Sequence, residues 1–278
     1  MKGNPLLSVI VSNYNYGTYI RECLDSILNQ TFKNLEIIVS DDGSTDDSPQ
    51  IIRDYEKRYP GVVMGIFTPV KRGVAQARHE GILKSKSEFI TTLDSDDYYY
   101  DNQKLEKEME LISFHKKTTG KDIIAYSNFA LVREDKSLIR FQGNLGNIKE
   151  GKIFNDIITR SCMIPRDFIV KKDAYFEVGG FDHRFTIYED WDLKIRLAKK
   201  YEFYYTGING TAYRRHGTGL SSIPISMNIK WLKKVFKKNK GLIDKTQKRE
   251  AVKAIVNYTK RMKTNNRKSK RNHTRGKI

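Results

Sequence analysis

The sequence predicts an α/β fold, a mostly parallel sheet flanked by helices, followed by a basic helical extension. Three observations lead there. Short apolar, β-branched runs alternate with helix-periodic stretches between residues 6 and 93. Polar clusters follow those runs instead of interrupting them. The positive charge is concentrated beyond residue 227. Alternating strand and helix signals suit a parallel sheet, because a crossover must carry the chain back to the same edge before the next strand begins.

LLSVIVS (6–12) is continuously apolar and reads as a strand buried on both faces. After the turn NYNYG, residues Ile20, Cys23, Leu24, Ile27 and Leu28 recur at helical spacing. LEIIVS (35–40) is a second buried strand, stopped by DDGSTDD. Ser48-Pro49 opens a helix facing inward through Ile51, Ile52 and Tyr55. Residues 62–67 form a third strand, VAQARHEGILKS a helix, and FITTL a fourth strand. Beyond Asn102 a helix carries Leu105, Met109 and Ile112, and DIIAYSNFALV reads as a strand. The polar stretch 133–151 is a loop or hairpin. FIVKK (168–172) is a strand with a helix after it, and WDLKIRLAKK is helical from just past Glu189-Asp190.

Ligands of parallel sheets bind at the carboxyl ends of the strands. Here those ends carry Ser12-Asn13-Tyr14, then Asp41-Asp42, then Asp94-Ser95-Asp96-Asp97. Helix capping explains any one cluster, since Asp and Asn begin helices well. It is a poor account of all three. Two carboxylates on one turn can hold a hard divalent cation, Mn2+ or Mg2+, which bridges phosphate oxygens and stabilises a departing diphosphate. An EF-hand needs a D-x-D-x-D-G spacing that is absent. A haloacid-dehalogenase phosphatase has Thr or Val two residues past its DxD, where this chain has Tyr98.

Four stretches, taken in order, resemble family 2 glycosyltransferases, which have the GT-A fold. They are SVIVSNYNYGTYIRECLDSILNQTFKNLEIIVSDDGSTDDS, GVAQARHEGI, FITTLDSDD and GGFDHRFTIYEDWDLKIRLA. The resemblance covers roughly residues 6 to 222. It implies a GT-A-like, Rossmann-type domain over 1–227, with a nucleotide-sugar-binding half (1–101) and an acceptor-binding half (102–227). It also implies an inverting, metal-dependent hexose transfer from a nucleotide-sugar, UDP favoured, to a saccharide or lipid-linked acceptor hydroxyl in cell-surface polysaccharide or glycoconjugate synthesis. Ser12, Tyr14 and Asp42 would hold the nucleotide, with Asp41 the alternative if the turn is rotated. Arg78 would pair with the diphosphate or make a structural salt bridge. Asp94 would lie near the ribose or the metal, Ser95 would join the donor-binding residues, and Asp96, Asp94 and His216 would hold the metal. His79 stands where the family commonly has Asn. Asp190 would be the base, with Glu189 next in line. Trp191 is an acceptor platform or core, and Asp192 is expected in solvent. Arg214 and Arg215 could assist at the diphosphate.

Two rival functions make different demands. A sugar nucleotidyltransferase should show an early glycine-rich loop and a pyrophosphate-gripping Lys, and neither is present. A nucleic-acid-binding protein would explain the basic extension but not the ordered acids, so nucleic acid is disfavoured. The net charge of +18 divides unevenly: 19 Lys and Arg against two acids from Asn228 onward, and +1 for residues 1–227. In MNIKWLKKVFKK, Ile229, Leu232, Val235 and Phe236 share a helical face. The extension 228–278 is therefore expected to be an amphipathic helix and then a disordered tail, touching an anionic membrane surface or packing on the domain. Cys23 and Cys162 suggest no disulfide framework. With no apolar run of spanning length, the expectation is a cytoplasmic protein, peripheral on the inner face of the membrane.

Overall fold

A computed structural model describes residues 5–142, 148–217 and 223–275. Strand β1 (Leu7–Asn13) is buried at every position, as the centre of a sheet covered on both faces must be. Helix α1 (Gly17–Leu28) buries Ile20, Cys23, Leu24 and Ile27. Strand β2 (Leu35–Asp41) pairs parallel with β1, in register from Leu7 opposite Leu35 to Asn13 opposite Asp41. Helix α2 (Ser48–Arg58) buries Ile51, Ile52 and Tyr55, and β3 (Val63–Phe67) lines the far side of β2. Helix α3 (Val74–Lys84) lies directly on β1: a Cβ at Gly81 would stand 2.4 Å from Ile10 Cγ2, so only hydrogen fits there. Strand β4 (Phe89–Asp94) flanks β1 on its other side, with Ser12 opposite Asp94. These elements match the sequence reading.

The second half holds more than the sequence indicated. After β5 (Tyr98–Tyr99) come α4 (Lys104–Thr119), β6 (Ile124–Arg133) and β7 (Leu138–Phe141), the last two forming a hairpin whose turn and second strand lie within 133–151. Then follow α5 (Phe154–Thr159), β8 (Val170–Lys171), α6 (Lys172–Glu177), α7 (Glu189–Ala198) and β9 (Phe203–Arg215). The first sheet runs β3-β2-β1-β4-β8, with β8 antiparallel. A second sheet runs β5-β9-β6-β7, with β6 and β9 parallel. Strand β9 was not foreseen. Gly207 and Gly210 interrupt it, its faces are mixed in burial, and its pairing with β6 shifts register near Asn128, so no clean alternation shows in the sequence.

Helix α8 (Ile225–Asn239) is amphipathic as expected, but its apolar face is occupied by the protein itself. Leu232, Val235 and Phe236 are buried in one cluster with Trp191, Ile195 and Phe203, and Ile229 on the same face is buried as well. Of the two expectations for that face, membrane contact or packing on the domain, the structure shows the packing. Burying such side chains stabilises a fold by about 1.5–3 kcal/mol each. A 3-10 turn (Lys240–Leu242) leads to α9 (Lys248–Arg275), a helix where a disordered tail was expected; Ala251 and Ile255 join the same cluster. Asp192, expected in solvent, is fully buried. It accepts from Arg196 Nη2 (2.7 Å), Lys238 Nζ (2.8 Å) and Asn239 Nδ2 (2.7 Å), which ties α7 to α8. Among the described residues no helix is long and apolar enough to cross a membrane.

Candidate active site

Parallel strands end on one edge, and here three such ends meet. Ser12 stands between Ser40 and Asp94 across its two pairings, and its Oγ donates to Asp94 Oδ1 at 2.8 Å. Over this edge lies a cavity of about 680 Å³ whose wall includes Ser12, Tyr14, Asp42, Asp94, Asp96 and His216. Its size suits a small-molecule ligand. Arg214 and Arg215 line it as well, so eight candidate site residues of the sequence reading converge on one space.

Asp41, Ser95, Arg78 and Asp190 stand outside that wall. Asp41 accepts from Asn13 Nδ2 (2.7 Å), from the Ser44 N–H (3.0 Å) and from Ser44 Oγ (2.6 Å), so it tightens the turn after β2. Ser95 is fully buried. Arg78, expected at the diphosphate or in a structural salt bridge, is 1% exposed and ion-paired to Asp94 and, at 2.6 Å, to Glu189 Oε1. One guanidinium thus joins the acid turn after β4 to the start of α7. Asp190, next along α7, is 27% exposed and holds Lys194 Nζ at 2.7 Å. Burial would raise its pKa, but Lys194 and the nearby Arg78 and Arg166 hold it well below the usual carboxylate range.

Asp42 faces the cavity with each oxygen already accepting one backbone N–H, from Arg72 and from Gly73, both at 2.7 Å. Each oxygen keeps a second lone pair for a ligand. The turn needs glycine behind Asp42: Gly43 has φ +77°, and a Cβ there would come within 2.9 Å of the Val70 carbonyl carbon. Lys71 Nζ lies 3.6 Å over the Tyr14 ring, and both residues line the cavity.

Asp94, Asp96 and Asp97 each offer an oxygen within 4.8 Å of the others. Their surroundings differ. Asp94 is beside Arg166 and Arg78 and accepts from Ser12; these outweigh burial and hold its pKa at about 2. Asp97 is buried, accepts the Arg214 N–H at 2.8 Å and pairs with Arg166. Asp96 Oδ2 is 2.9 Å from His216 Nε2, and the imidazole packs between Tyr16 and Tyr19, with ring centroids 5.5 and 5.3 Å away. A hard divalent cation takes carboxylate oxygens, and imidazole is a common nitrogen ligand. Asp96 and His216 supply both donor types on the cavity wall, with Asp94 alongside. The donor set fits such an ion.

Sequence reading missed three cations of the cavity wall, Lys71, Arg72 and Arg166, because none belongs to a motif. Trp191 resolves as core, its Nε1 donating to the Ile157 carbonyl at 2.8 Å. Cys23 and Cys162 are buried, as expected of small core residues. His79 bonds Tyr175 Oη through Nδ1 at 2.7 Å, outside the cavity wall.

A family profile described as "Glycosyl transferase family 2" matches residues 8–181. Similar curated proteins include an uncharacterized glycosyltransferase of Rickettsia typhi, 29% identical over 204 residues, which are 73% of this chain and 61% of that protein. Another, from Haemophilus influenzae, is 43% identical over 111 residues, covering 39% of this chain and 42% of the relative. The chain spans less than two thirds of the length of either. Among solved structures, S. aureus TarS 1-349 in complex with UDP-GlcNAc aligns with TM-score 0.70 at 18% identity, over 91% of this chain and 72% of that one. A mannosyltransferase from Pyrobaculum calidifontis, in complex with GDP-Man and Mn2+, aligns with TM-score 0.64 at 18% identity, over 85% and 64%. At such identity the likeness is one of fold, and it matches the GT-A architecture.

Proposed function

The chain belongs to glycosyl transferase family 2, and from that premise we propose that it transfers a hexose from a UDP-sugar to an acceptor hydroxyl with inversion at the anomeric carbon. The observation that carries this is the convergence of Ser12, Tyr14 and Asp42 with the Asp96–His216 pair on one cavity. Tyr14 offers a ring to a base. Asp42 offers oxygens to the N3–H of uracil. Asp96 and His216, with Asp94, would hold a Mn2+ or Mg2+ ion, which when bound offsets the charge of the leaving diphosphate.

Asp190 is the proposed base. Its carboxylate takes the proton of the acceptor hydroxyl as that oxygen bonds to the anomeric carbon and the nucleoside diphosphate departs. A carboxylate held well below its usual pKa is a weak base, so release of Lys194 from Asp190 Oδ2 would accompany acceptor binding. UDP is favoured over GDP by the complexes of TarS with UDP and UDP-GlcNAc, and the bound Mn2+ of the mannosyltransferase supports a divalent ion. The acceptor belongs to cell-surface polysaccharide or glycoconjugate synthesis. Contact with an anionic membrane would rest on exposed lysines such as Lys230, Lys233, Lys234 and Lys237, since the apolar face of α8 is occupied.

Thermal melts against a set of nucleotide-sugars, with and without Mn2+, test the reading. UDP and one UDP-sugar should raise Tm in Mn2+, because a ligand of the folded state stabilises it. No shift with any nucleoside diphosphate would sink it.

A further inference from the structure

The acidic turn carries a cation that belongs to none of the motifs. Arg166 precedes β8 and lines the cavity. Its Nε lies at ion-pair distance, 3.0 Å, from Asp94 Oδ2, and its Nη2 pairs with Asp97. The guanidinium carbon stands 4.4 Å over the Tyr213 ring, an arrangement that favours arginine over lysine.

The segment that carries it is held from several sides. The Arg166 N–H donates to Tyr213 Oη at 2.9 Å, and its carbonyl accepts from Thr92 Oγ1 at 3.1 Å. Asp167, the next residue, is 1% exposed; it accepts from Thr211 Oγ1 and, at 2.6 Å, from Tyr213 Oη, and it ion-pairs with Lys104 at 3.3 Å. Residues of β4, β9 and α4 therefore fix the guanidinium against the acids. The side chain is nevertheless 29% exposed, at the cavity wall.

Buried carboxylates left without a partner oppose folding strongly. We infer that Arg166 is the resident counter-cation of the acidic turn. It balances Asp94 and Asp97 without a divalent ion, so the turn folds before any metal arrives, and the ion is then taken by Asp96 and His216 with Asp94 alongside. Its exposed edge is then a cationic contact for the oxygens of a bound diphosphate. That last step rests on the nucleotide-sugar reading; the counter-cation role does not. Arg78 cannot replace it, being 1% exposed and shared between Asp94 and Glu189.

The test uses the full chain as wild type, Arg166→Gln and Arg166→Lys. Melts are recorded in EDTA and in Mn2+, and UDP is titrated calorimetrically in Mn2+. In EDTA the Gln variant should melt roughly 6 °C or more below wild type. Mn2+ should raise its Tm by more than it raises that of wild type, because added positive charge replaces what was lost. UDP affinity of the Gln variant should fall about tenfold or more, as expected for loss of a charge-assisted hydrogen bond. A Gln variant that melts with wild type in EDTA, or gains no more from Mn2+, overturns the counter-cation role. Unchanged UDP affinity overturns the diphosphate contact. Wild type that binds no UDP, with the melts as expected, overturns the nucleotide reading and leaves the counter-cation standing. Should the Gln variant not fold, the Lys variant decides: a cooperative melt in EDTA, below wild type because the stack on Tyr213 is lost, supports a role of charge, and failure to fold as well refutes it.

Discussion

Replacing Arg78 by methionine separates a structural role from a ligand-binding one. The guanidinium is 1% exposed and bridges Asp94 and Glu189, the latter at 2.6 Å. Methionine keeps much of the apolar stem, so loss of charge dominates the effect. Asp94 retains Arg166 beside it, while Glu189 loses its guanidinium inside the protein. Breaking one side of a buried ion pair costs about 3–5 kcal/mol. For a chain of this size each kcal/mol moves Tm by about 2–4 °C, so a drop of roughly 6–20 °C is expected. Adding Glu189→Gln should recover part of that loss, because an amide needs no counter-ion. UDP affinity should stay within about threefold of wild type, since Arg78 is not part of the cavity wall. The assays are thermal and urea denaturation of the two variants, with UDP calorimetry on the same samples. An unchanged Tm together with lost UDP affinity would return Arg78 to the diphosphate and refute the reasoning.

Asp190→Asn should lower transfer by about 10²- to 10⁴-fold with UDP binding intact; turnover near wild type on the true acceptor would move the base elsewhere. Asp94, held at about 2 against a usual 3.8, contributes stability that is present above pH 4 and lost as pH falls from about 4 to 2. The contribution is on the order of 2 kcal/mol, so the urea midpoint of wild type should fall more steeply across that window than that of Asp94→Asn, and parallel curves would refute it. Leu232→Ala should cost about 2–5 kcal/mol because the side chain is fully buried. By the same logic a chain ending at Met227 should fail to fold, and a cooperative melt of that truncated chain would show α8 to be dispensable.

The first half was legible because its strands are buried on both faces and so read as unbroken apolar runs, Val9-Ile10-Val11 and Ile37-Ile38-Val39 among them. The clusters at their ends were legible for the same reason, since the topology that makes such runs also aligns where they stop. What was hidden depends on contacts between distant segments. Nothing local distinguishes Arg78, turned inward to Glu189, from an arginine reaching a diphosphate. Arg166 sits in an ordinary stretch, and its meaning comes from Asp94 and Asp97. Asp192 looked solvated because its partners Lys238 and Asn239 lie some 46 residues away in the chain. In α8 the periodicity revealed an apolar face but could not say whether lipid or protein would cover it.

Asp96 and His216 are separated by 120 positions in the chain, and this bears on the order in which the protein can be made. As it is synthesised, strands β1 to β4 pair among themselves once residue 94 is made, while the end of β9 comes much later and closes one of the longer loops in the fold. The carboxylate is therefore in place well before the imidazole that completes the pair. A nascent chain, or one stalled short of residue 216, would display the first sheet without the Asp96–His216 pair. Under the proposed function, capture of donor with its cation would then belong to molecules that have passed that point, and shorter ones would have no means to trap and waste it.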